Sequence, residues 1–313
     1  MGILITGSSG YLGGRLTEYL SKKHNLTLLS RNKNQINWTD KEHSLRQYKI
    51  DWQNIESSSG LFQDTKTVIH LAGLNAQESL QDPARAIEVN KNNTEKILSL
   101  SLKNNIDNFI YLSTAHVYSN PLQGTITEES PTIGDHPYAT SHLMGENVLL
   151  ESHQKGLMNI KIVRLSNAYG PPIDKNTNCW MLIMNDLCMQ LATKKRMKIK
   201  SNGNQRRNFI AISDTLQAIE HLMNLPYQEK PIFNVGSLWN PQIKEVVDYL
   251  ADRFEIITNI RPDTEFNDLS NESSLNLDYR IDKLLESGFS FDKKDSKEKE
   301  IDSLINKCLE FYN

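Results

Sequence analysis

Short apolar runs alternate with longer amphipathic stretches up to Arg164. The runs predict six strands: Ile3–Thr6, Leu26–Ser30, Tyr48–Ile50, Val68–Leu71, Phe109–Ser113 and Ile160–Arg164. The stretches between them predict helices by their length and spacing: Tyr11–Lys23, Pro83–Lys103 and Tyr138–Gln154. This alternation is typical of βαβ units, so the predicted fold class is α/β with a parallel sheet.

The periodicity weakens after Arg164. A further helix and two strands are predicted there: Cys179–Lys195, Asn208–Ile212 and Ile232–Val235. We expect a first domain of residues 1–165 with returning segments near 208–236, and a second domain made mainly of residues 166–313. The mixed-sign run Asp292–Asp295 and Lys297–Glu300 predicts a solvated turn. The end of the chain predicts a docked helix with one apolar face: Ile301, Leu304, Ile305, Cys308 and Leu309.

The composition is that of an ordinary globular protein. The chain has 313 residues, 38% hydrophobic content and a net charge of −3, so its charge gives no reason to expect nucleic acid or a membrane as partner. Cys179, Cys188 and Cys308 are odd in number and lack C-x-x-C spacing, which indicates reduced thiols and a cytoplasmic protein. The N-terminus lacks a basic leader and predicts a strand. No cluster of ligands predicts a metal site.

A glycine-rich loop follows the first predicted strand and opens the first helix: Thr6-Gly7-Ser8-Ser9-Gly10-Tyr11-Leu12-Gly13. Gly7 and Gly10 allow a tight turn and close approach to a pyrophosphate, and Gly13 allows the helix to pack on the sheet. The amino end of the helix then offers N–H groups to the phosphates. We therefore predict a dinucleotide site that includes Ser9, Tyr11 and Leu12; the alternative is a plain strand-to-helix turn.

Three further segments follow the predicted strands and extend this site. Ser30-Arg31-Asn32 has no carboxylate for a ribose 2′-hydroxyl, and Arg31 could pair with a 2′-phosphate, which favours NADP(H) over NAD(H) unless Arg31 is only solvated. Asp51 and Trp52 are placed to contact the adenine. The alternative is that they form a turn with a half-buried indole. The side chains of Leu71-Ala72-Gly73 are small enough to let the cofactor pass. We interpret the preceding His70 as a histidine packed in the interior and not as a catalytic residue.

These motifs continue in order along most of the chain, which resembles the extended short-chain dehydrogenase/reductase family, especially its nucleotide-sugar epimerases, dehydratases and reductases. The matching segments are Thr6–Gly13, Asp51, His70–Gly73, Asn90, Ser113–Tyr118, Tyr138, Arg164–Pro171, Arg207–Ile210 and Asn234–Gly236. The resemblance implies a doubly wound parallel Rossmann sheet with a smaller C-terminal substrate-binding domain. It also implies a homodimer formed by the helices Pro83–Lys103 and Tyr138–Gln154.

The resemblance assigns the catalytic chemistry. It implies that the phenol of Tyr138 exchanges a proton with a sugar hydroxyl or ketone while a hydride moves to or from the nicotinamide, and that Thr114 hydrogen-bonds the same oxygen. Relatives carry a lysine four residues after this tyrosine, which lowers the phenol pKa and holds the nicotinamide ribose. Here the position is His142, which is shorter than lysine and largely neutral at pH 7. Three interpretations are open. His142 could take the role of the lysine, the enzyme could be slower and specialised for an easy reaction, or the chain could bind the cofactor without turnover.

The type of reaction is narrowed by the residues after Thr114. The resembling 4,6-dehydratases have an Asp-Glu pair there, whereas this chain has Ala115 and His116. We therefore do not expect dehydration by that route. We expect hydride transfer at C4, as in epimerases and ketoreductases. His116 matches a proton-transferring residue of epimerase-reductases, so it is either an acid or base, or a packed or substrate-bonding side chain.

A basic segment predicts the second half of the substrate site. Seven lysines and arginines and no acidic residue lie between Lys194 and Arg207. The resemblance implies that Arg207 contacts the diphosphate of a nucleotide-sugar and that Asn167 lies near its phosphates; the alternative is a solvated loop. The segment is too short and too poor in aromatic residues to predict nucleic-acid binding. Two other functions stay open, a reductase of non-nucleotide ketones and a regulator or scaffold that binds the cofactor without catalysis.

Overall fold

The computed structural model describes residues 2–31, 43–267, 275–291 and 296–312. Asn32 and Asp292–Asp295, which were considered above, lie outside these residues. The strands in chain order are β1 Gly2–Thr6, β2 Asn25–Ser30, β3 Leu45–Lys49, β4 Thr67–His70, β5 Asn108–Thr114, β6 Gly124–Ile126, β7 Asn159–Leu165, β8 Asn167–Tyr169, β9 Arg196–Ile199, β10 Phe209–Ala211, β11 Ile232–Val235, β12 Asp263–Phe266 and β13 Leu277–Tyr279.

The helices surround these strands. They are α1 Tyr11–Ser21, α2 Ala76–Gln81, α3 Pro83–Ile87, α4 Asn93–Lys103, α5 Pro137–Gln154, α6 Ile183–Lys194, α7 Ile212–Asn224, α8 Ile243–Thr258, α9 Asp282–Glu286 and α10 Ser296–Tyr312. Two 3₁₀ segments, Ile55–Phe62 and Ala115–Val117, complete the helical structure. A π-helical segment, Glu88–Asn92, connects α3 to α4 and is called the wide turn below.

Seven strands form the central sheet in the order β11-β7-β5-β4-β1-β2-β3. The pairings from β7 through to β3 are all parallel. The chain leaves β1 toward β2 and later returns to its other side with β4, so the strand order reverses between these strands. In open parallel sheets, ligands bind outside the carboxyl ends of the strands at such a point.

Two compact units divide the chain. The first contains residues 1–120, 131–165 and 218–233, and the second contains 121–130, 166–217 and 234–313. The sequence-based division also places a boundary after residue 165 and a returning segment in the 208–236 region, but it has no counterpart for the excursion of 121–130. Three two-stranded parallel sheets, β8 with β10, β9 with β12, and β6 with β13, belong to the second unit.

Each unit has its own apolar core. In the first, residues of β4, β5 and β7 such as Val68, Phe109 and Ile160 pack against the inner faces of α4 and α5. In the second, α6, α8 and α10 pack together through their apolar faces. All three cysteines are buried and free. Within the described residues, no helix combines the length and apolarity that crossing a bilayer requires.

Several predicted elements differ from the structure in their limits. The predicted helix Pro83–Lys103 is interrupted by the wide turn. The helix predicted over Cys179–Lys195 begins only at Ile183, and Ile212 starts α7 instead of ending a strand. Lys297–Glu300 lies in α10, not in a turn. On that helix Ile301, Leu304, Ile305 and Cys308 are buried, as predicted.

Candidate functional site

The glycine loop is shaped by close backbone contacts. Gly7 has a φ of +70°, and a Cβ there would lie 2.7 Å from the backbone nitrogen of Ala72. A Cβ at Gly13 would collide with the carbonyl oxygen of Gly7. Gly10 precedes α1 and has no side chain, so the N-cap position supplies no side-chain cap to the helix. This cradle fits a pyrophosphate, which needs close backbone approach and N–H donors.

The carboxyl ends of the neighbouring strands carry the predicted adenosine-side residues. Arg31 directly follows β2 and is exposed. The carboxylate of Asp51 accepts hydrogen bonds from the side chain of Asn54 at 2.9 Å and the backbone of Gln53 at 3.0 Å, and the Asn54 contact lowers its pKa most. Trp52 is half-buried, with its ring 6.5 Å from that of His70. The Asp51 carboxylate is thus engaged within its own turn.

The loop after β4 is fastened to the glycine loop. The backbone N–H of Leu71 donates to the carbonyl of Thr6 at 3.2 Å, and that of Ala72 donates to the Thr6 hydroxyl at 3.3 Å. Gly73 is exposed, and a Cβ there would lie 3.1 Å from Oδ1 of Asn90. These contacts keep the predicted cofactor-facing loop small and fixed.

The start of α5 places Tyr138 beside Thr114. His136 caps this helix by accepting the backbone N–H of Tyr138 on Nδ1 at 3.1 Å, and Pro137 occupies its first turn. Tyr138 is therefore held in the first turn of the helix. Thr114 ends β5, and its side chain lies close enough to the phenol of Tyr138 to lower the pKa of that phenol. The two residues that the resemblance assigns to catalysis are therefore neighbours.

The environment of Tyr138 does not favour its ionised form. Burial raises the pKa of the phenol above its ordinary value, and the proximity of Thr114 offsets only part of that rise. His142 lies edge-on at 4.7 Å between ring centroids. Because burial lowers the pKa of His142 to about 3, its ring is neutral at physiological pH. His142 therefore brings no positive charge to the phenol.

His142 is held between three groups. Its side chain is 6% exposed. Nδ1 lies 3.1 Å from the hydroxyl of Tyr111, one side of the ring meets Tyr138, and the Cε1–Nε2 edge lies 3.8–3.9 Å from where a Cβ of Gly73 would be. Nε2 thus faces the loop after β4.

A chain of buried polar groups continues from Tyr111 to the glycine loop. The carbonyl of Asn90, in the wide turn, accepts from the hydroxyls of Tyr111 at 3.2 Å and Thr94 at 2.8 Å. Thr94 also contacts Nε2 of His70 at 3.1 Å, and Nδ1 of His70 lies 2.6 Å from the Thr6 hydroxyl. Burial, with a smaller contribution from His142, lowers the pKa of His70 to about 3.

A buried ion pair anchors the next turn of α5. Glu146 accepts from Arg164 with Nη2 at 2.6 Å and Nε at 3.1 Å, and from the Ser113 hydroxyl at 2.5 Å. The Arg164 guanidinium also lies 4.7 Å from the ring centroid of Tyr118. Glu146 is two turns beyond Tyr138, so the pair fixes the helix that carries both Tyr138 and His142.

His116 lies close to Thr114 and Tyr138. Its backbone N–H donates to the Thr114 hydroxyl at 3.2 Å. Its ring is half-buried, with its centroid 6.5 Å from that of Tyr138. The structure therefore places His116 in the neighbourhood of the phenol, within reach of a group bound there.

The two predicted substrate residues meet in the second unit. Strands β8 and β10 pair in parallel, with Asn167 opposite Phe209. The Asn167 amide donates to the carbonyl of Asn208 at 2.8 Å, beside Arg207, whose guanidinium donates to Gln205 at 3.2 Å. Asn167 and Arg207 are half-buried.

The structure adds three supporting residues that the sequence does not single out, Ser141, Tyr111 and Gly145, and all three pack around Asn90. Ser141 accepts a hydrogen bond from the Asn90 side chain at 2.9 Å, and Tyr111 contacts His142. A Cβ at Gly145 would lie 2.5 Å from both the Tyr111 hydroxyl and the Asn90 carbonyl oxygen. The available signals were a glycine inside a long helix and an asparagine in a predicted helix interior, each of which calls for a packing reason.

The sequence and the fold both resemble those of known proteins. A sequence profile of the NAD dependent epimerase/dehydratase family matches residues 3–236. A putative UDP-glucose 4-epimerase of Methanocaldococcus jannaschii is 26% identical over 259 residues, which cover 79% of this chain and 81% of that protein.

Two solved structures have the same fold over nearly the entire chain. UDP-glucuronic acid 4-epimerase from Bacillus cereus in complex with NAD superposes with a TM-score of 0.83 at 21% identity, covering 100% of both chains. RMD from Pseudomonas aeruginosa complexed with NADPH superposes with a TM-score of 0.76 at 20% identity, covering 99% of both chains.

Proposed function

Because the chain belongs to the NAD-dependent epimerase/dehydratase family, we propose that it transfers a hydride between a nicotinamide dinucleotide and a nucleotide-linked sugar. The reacting carbon is C4, and the reaction is an epimerisation or a keto-reduction. The observation that carries this proposal is the proximity of Thr114 to the phenol of Tyr138, beyond the carboxyl end of a sheet whose first loop is a glycine cradle. A phenol and a neighbouring hydroxyl suit proton exchange with one substrate oxygen.

The cofactor is held by the residues around the glycine loop. The backbone of Gly7, Ser9, Gly10, Tyr11 and Leu12 receives the pyrophosphate. On the adenosine side, Asp51 and Trp52 lie toward the adenine, and exposed Arg31 pairs with a 2′-phosphate. The absence of a carboxylate at Ser30 and Arg31 supports NADP(H) over NAD(H).

The nicotinamide side is formed by the loop after β4 and by α5. Leu71, Ala72 and Gly73 line it, and Tyr138 and His142 face it from the helix. When bound, the nicotinamide ring accepts or returns the hydride. Ala72 and Gly73 offer little side-chain bulk, and the Thr6 contacts hold the loop in place, so it can lie flat against a planar ring.

Tyr138 moves the proton at the substrate oxygen. In reduction the phenol donates a proton to the ketone oxygen, and in oxidation it takes one from the hydroxyl, while Thr114 hydrogen-bonds the same oxygen. Because burial raises the pKa of Tyr138, the phenol stays protonated near pH 7. This state suits the proton-donating direction, so ketone reduction is the faster half-reaction at neutral pH.

His116 has a separate role in this proposal. Ala115 and His116 replace the acid pair of the dehydratases, which disfavours dehydration. His116 lies near the phenol and can exchange a proton with a carbon next to the keto group, since imidazole works on either side of neutral pH. This role adds epimerisation beside the ketone to the possible outcomes.

The substrate's nucleotide diphosphate is bound by the second unit. Arg207 supplies a guanidinium for the phosphates, and Asn167 lies beside it through the pairing of β8 with β10. We further propose that the protein acts in the cytoplasm, where its three buried thiols stay reduced, and that it is a homodimer.

The test joins cofactor identification to turnover. The nucleotide released from purified protein is identified by mass, and hydride transfer and epimerisation are assayed with a panel of UDP-, dTDP- and GDP-sugars and their 4-keto forms. We expect NADP(H), and turnover that falls at least 100-fold in Tyr138→Phe while the cofactor stays bound. Arg207→Ala should raise the KM for the nucleotide-sugar about tenfold or more.

Two results would overturn the proposal. Bound cofactor without turnover on any sugar of the panel would identify a cofactor-binding regulator or scaffold, which the neutral His142 favours. Turnover on simple ketones with an unchanged KM in Arg207→Ala would identify a reductase of non-nucleotide substrates.

A further inference from the structure

The hydroxyl of Tyr111 makes two hydrogen-bond contacts and has one hydrogen to give. Its oxygen lies 3.2 Å from the carbonyl oxygen of Asn90 and 3.1 Å from Nδ1 of His142. A carbonyl oxygen can only accept a hydrogen bond, whereas an imidazole nitrogen either accepts or donates. The assignment of this one hydrogen therefore decides which nitrogen of His142 is protonated.

Only one assignment satisfies both contacts. If Tyr111 donated to His142, its oxygen would face the Asn90 carbonyl with no hydrogen between two acceptors, in a buried site where that contact is costly. If Tyr111 donates to Asn90, Nδ1 of His142 donates to Tyr111 and both bonds are made. Nε2 of His142 is then left without a hydrogen.

The same reasoning assigns the tautomer of the neighbouring His70, in which Nε2 and not Nδ1 carries the hydrogen. Thr94 donates its hydrogen to the Asn90 carbonyl, so it accepts from Nε2 of His70. Nδ1 of His70 is then bare and accepts from the Thr6 hydroxyl, which itself accepts the backbone N–H of Ala72. Each hydrogen in this part of the network has one consistent place, and the Asn90 carbonyl receives two of them.

We propose that Tyr111 is a positioning residue that holds His142 as the Nδ1–H tautomer and presents a bare Nε2 as a hydrogen-bond acceptor to a hydroxyl of the nicotinamide ribose. This inference rests on the proposed cofactor site. A lysine at this position can only donate, so His142 reverses the direction of the hydrogen bond. The substitution then preserves a contact to the ribose without supplying a charge to Tyr138.

The packing around Tyr111 supports this role. Its ring is buried and lies nearly parallel to that of His70, at 5.9 Å between centroids and 18° between planes. Gly145 leaves the space that the hydroxyl occupies, since a Cβ there would lie 2.5 Å from it. The ring of Tyr111 is therefore packed in a position that brings its hydroxyl to His142.

The tautomer is measured directly in the full-length protein. Long-range ¹H–¹⁵N spectra of protein with ¹⁵N-labelled histidine distinguish a protonated from a bare ring nitrogen, and His142→Gln assigns the signals. We expect His142 to show bare Nε2 and protonated Nδ1 between pH 6 and 8, and His70 to show the reverse. Protonated Nε2 in His142 of the unaltered protein would overturn the proposal.

Binding of NADP⁺ tests the function of the tautomer independently of turnover. Tyr111→Phe keeps the ring and removes only the hydroxyl, so we expect its Kd for NADP⁺ to rise about fivefold to tenfold, with loss of the Nδ1–H signal. In a His142→Ala background the same substitution should change Kd by less than about twofold, because Tyr111 then has no ring to position. Equal effects in the two backgrounds would show that Tyr111 is merely structural.

A failure of the proposed function gives a different pattern. If the protein binds no dinucleotide, Kd is unmeasurable in every variant while the tautomer signals of His142 and His70 are still as expected. If the tautomer is wrong, the spectra show it whether or not the enzyme turns over.

Discussion

At the scale of single residues, the phenol that we propose as the acid/base has a neutral neighbour. Burial raises the pKa of Tyr138 and lowers that of His142 to about 3. A cation beside a phenol stabilises phenolate, whereas a neutral imidazole does not. The pH dependence of hydride transfer should therefore follow the ionisation of Tyr138 and not that of His142, and it should differ between the two directions of reaction.

We expect kcat/KM for substrate oxidation to rise with pH from 6 to above 9, because the base form of Tyr138 gains population up to its raised pKa. Reduction, which uses the protonated phenol, should stay flat over the same range. In His142→Lys the ammonium should lower the phenol pKa and move the rising limb of oxidation to lower pH by about one unit or more. Initial rates across this pH range measure both effects.

The neutral variant His142→Gln serves as control for that series. It should leave the position of the rising limb unchanged, since neither side chain is charged. A wild-type inflection near pH 6.5 that His142→Gln removes would show that His142 titrates in the working range, and would contradict its lowered pKa.

At the scale of elements, α5 carries Tyr138 and His142 and is held in place by a buried ion pair. Glu146 and Arg164 are buried, and the carboxylate accepts hydrogen bonds from both Arg164 and Ser113. Breaking a buried pair from one side leaves an uncompensated charge, which costs far more than a surface contact. The orientation of Tyr138 therefore depends on a polar anchor two turns away from it.

Glu146→Gln should lower the free energy of unfolding by about 3–5 kcal/mol. Urea denaturation at pH 7 measures the change. Glu151→Gln on the exposed side of the same helix is the matched control and should stay within about 0.5 kcal/mol of the wild type. Equal losses in the two variants would rule out a special contribution from the buried pair, and a Glu146→Leu/Arg164→Leu double variant should recover part of the loss.

The elements differ in how far the sequence predicts them. The strands β1, β2 and β5 are short apolar runs between polar residues, and the structure has all three. The wide turn has no signal, since the polar residues of Glu88–Asn92 fit either helix geometry. α8 has no counterpart among the predicted elements, although its buried residues Ile243, Val246, Val247, Leu250, Ala251 and Phe254 recur at helical spacing.

The candidate site likewise has a part that the sequence predicts and a part that it does not. Motif spacing predicts Thr114, Tyr138 and the glycine loop, because backbone geometry and chemistry leave few alternatives at those positions. It does not predict that Tyr111 reaches His142, because that contact joins a strand to a helix 31 residues further along the chain. Hydrogen-bond direction depends on such long-range contacts, so it becomes visible only in three dimensions.

At the scale of the whole molecule, the remaining question is self-association. The resemblance implies a dimer formed through the segments Pro83–Lys103 and Tyr138–Gln154, and Met144 in the second of them is 39% exposed. An apolar side chain on a helix that packs against a second copy is buried by dimerisation, and a carboxylate at the same position would have to be desolvated without a partner.

We expect the wild type to be a dimer and Met144→Glu to be a monomer by size-exclusion chromatography with light scattering. Ile256→Glu is the control, because Ile256 is 65% exposed on α8, outside the expected interface, and it should remain dimeric. A wild-type monomer, or a Met144→Glu dimer of unchanged stability, would place the interface elsewhere or remove it.

The wide turn has a consequence for deletions in this part of the chain. A π-helical turn holds one more residue than a regular turn, so the loss of a single codon there would leave an ordinary helix. The Asn93 N–H here reaches back to Glu88, and the Asn90 carbonyl serves two hydroxyl groups. A descendant that lost one codon in this stretch would rotate every later residue of α4 by about 100°. We therefore expect lineages with His142 to keep the length of this segment unchanged.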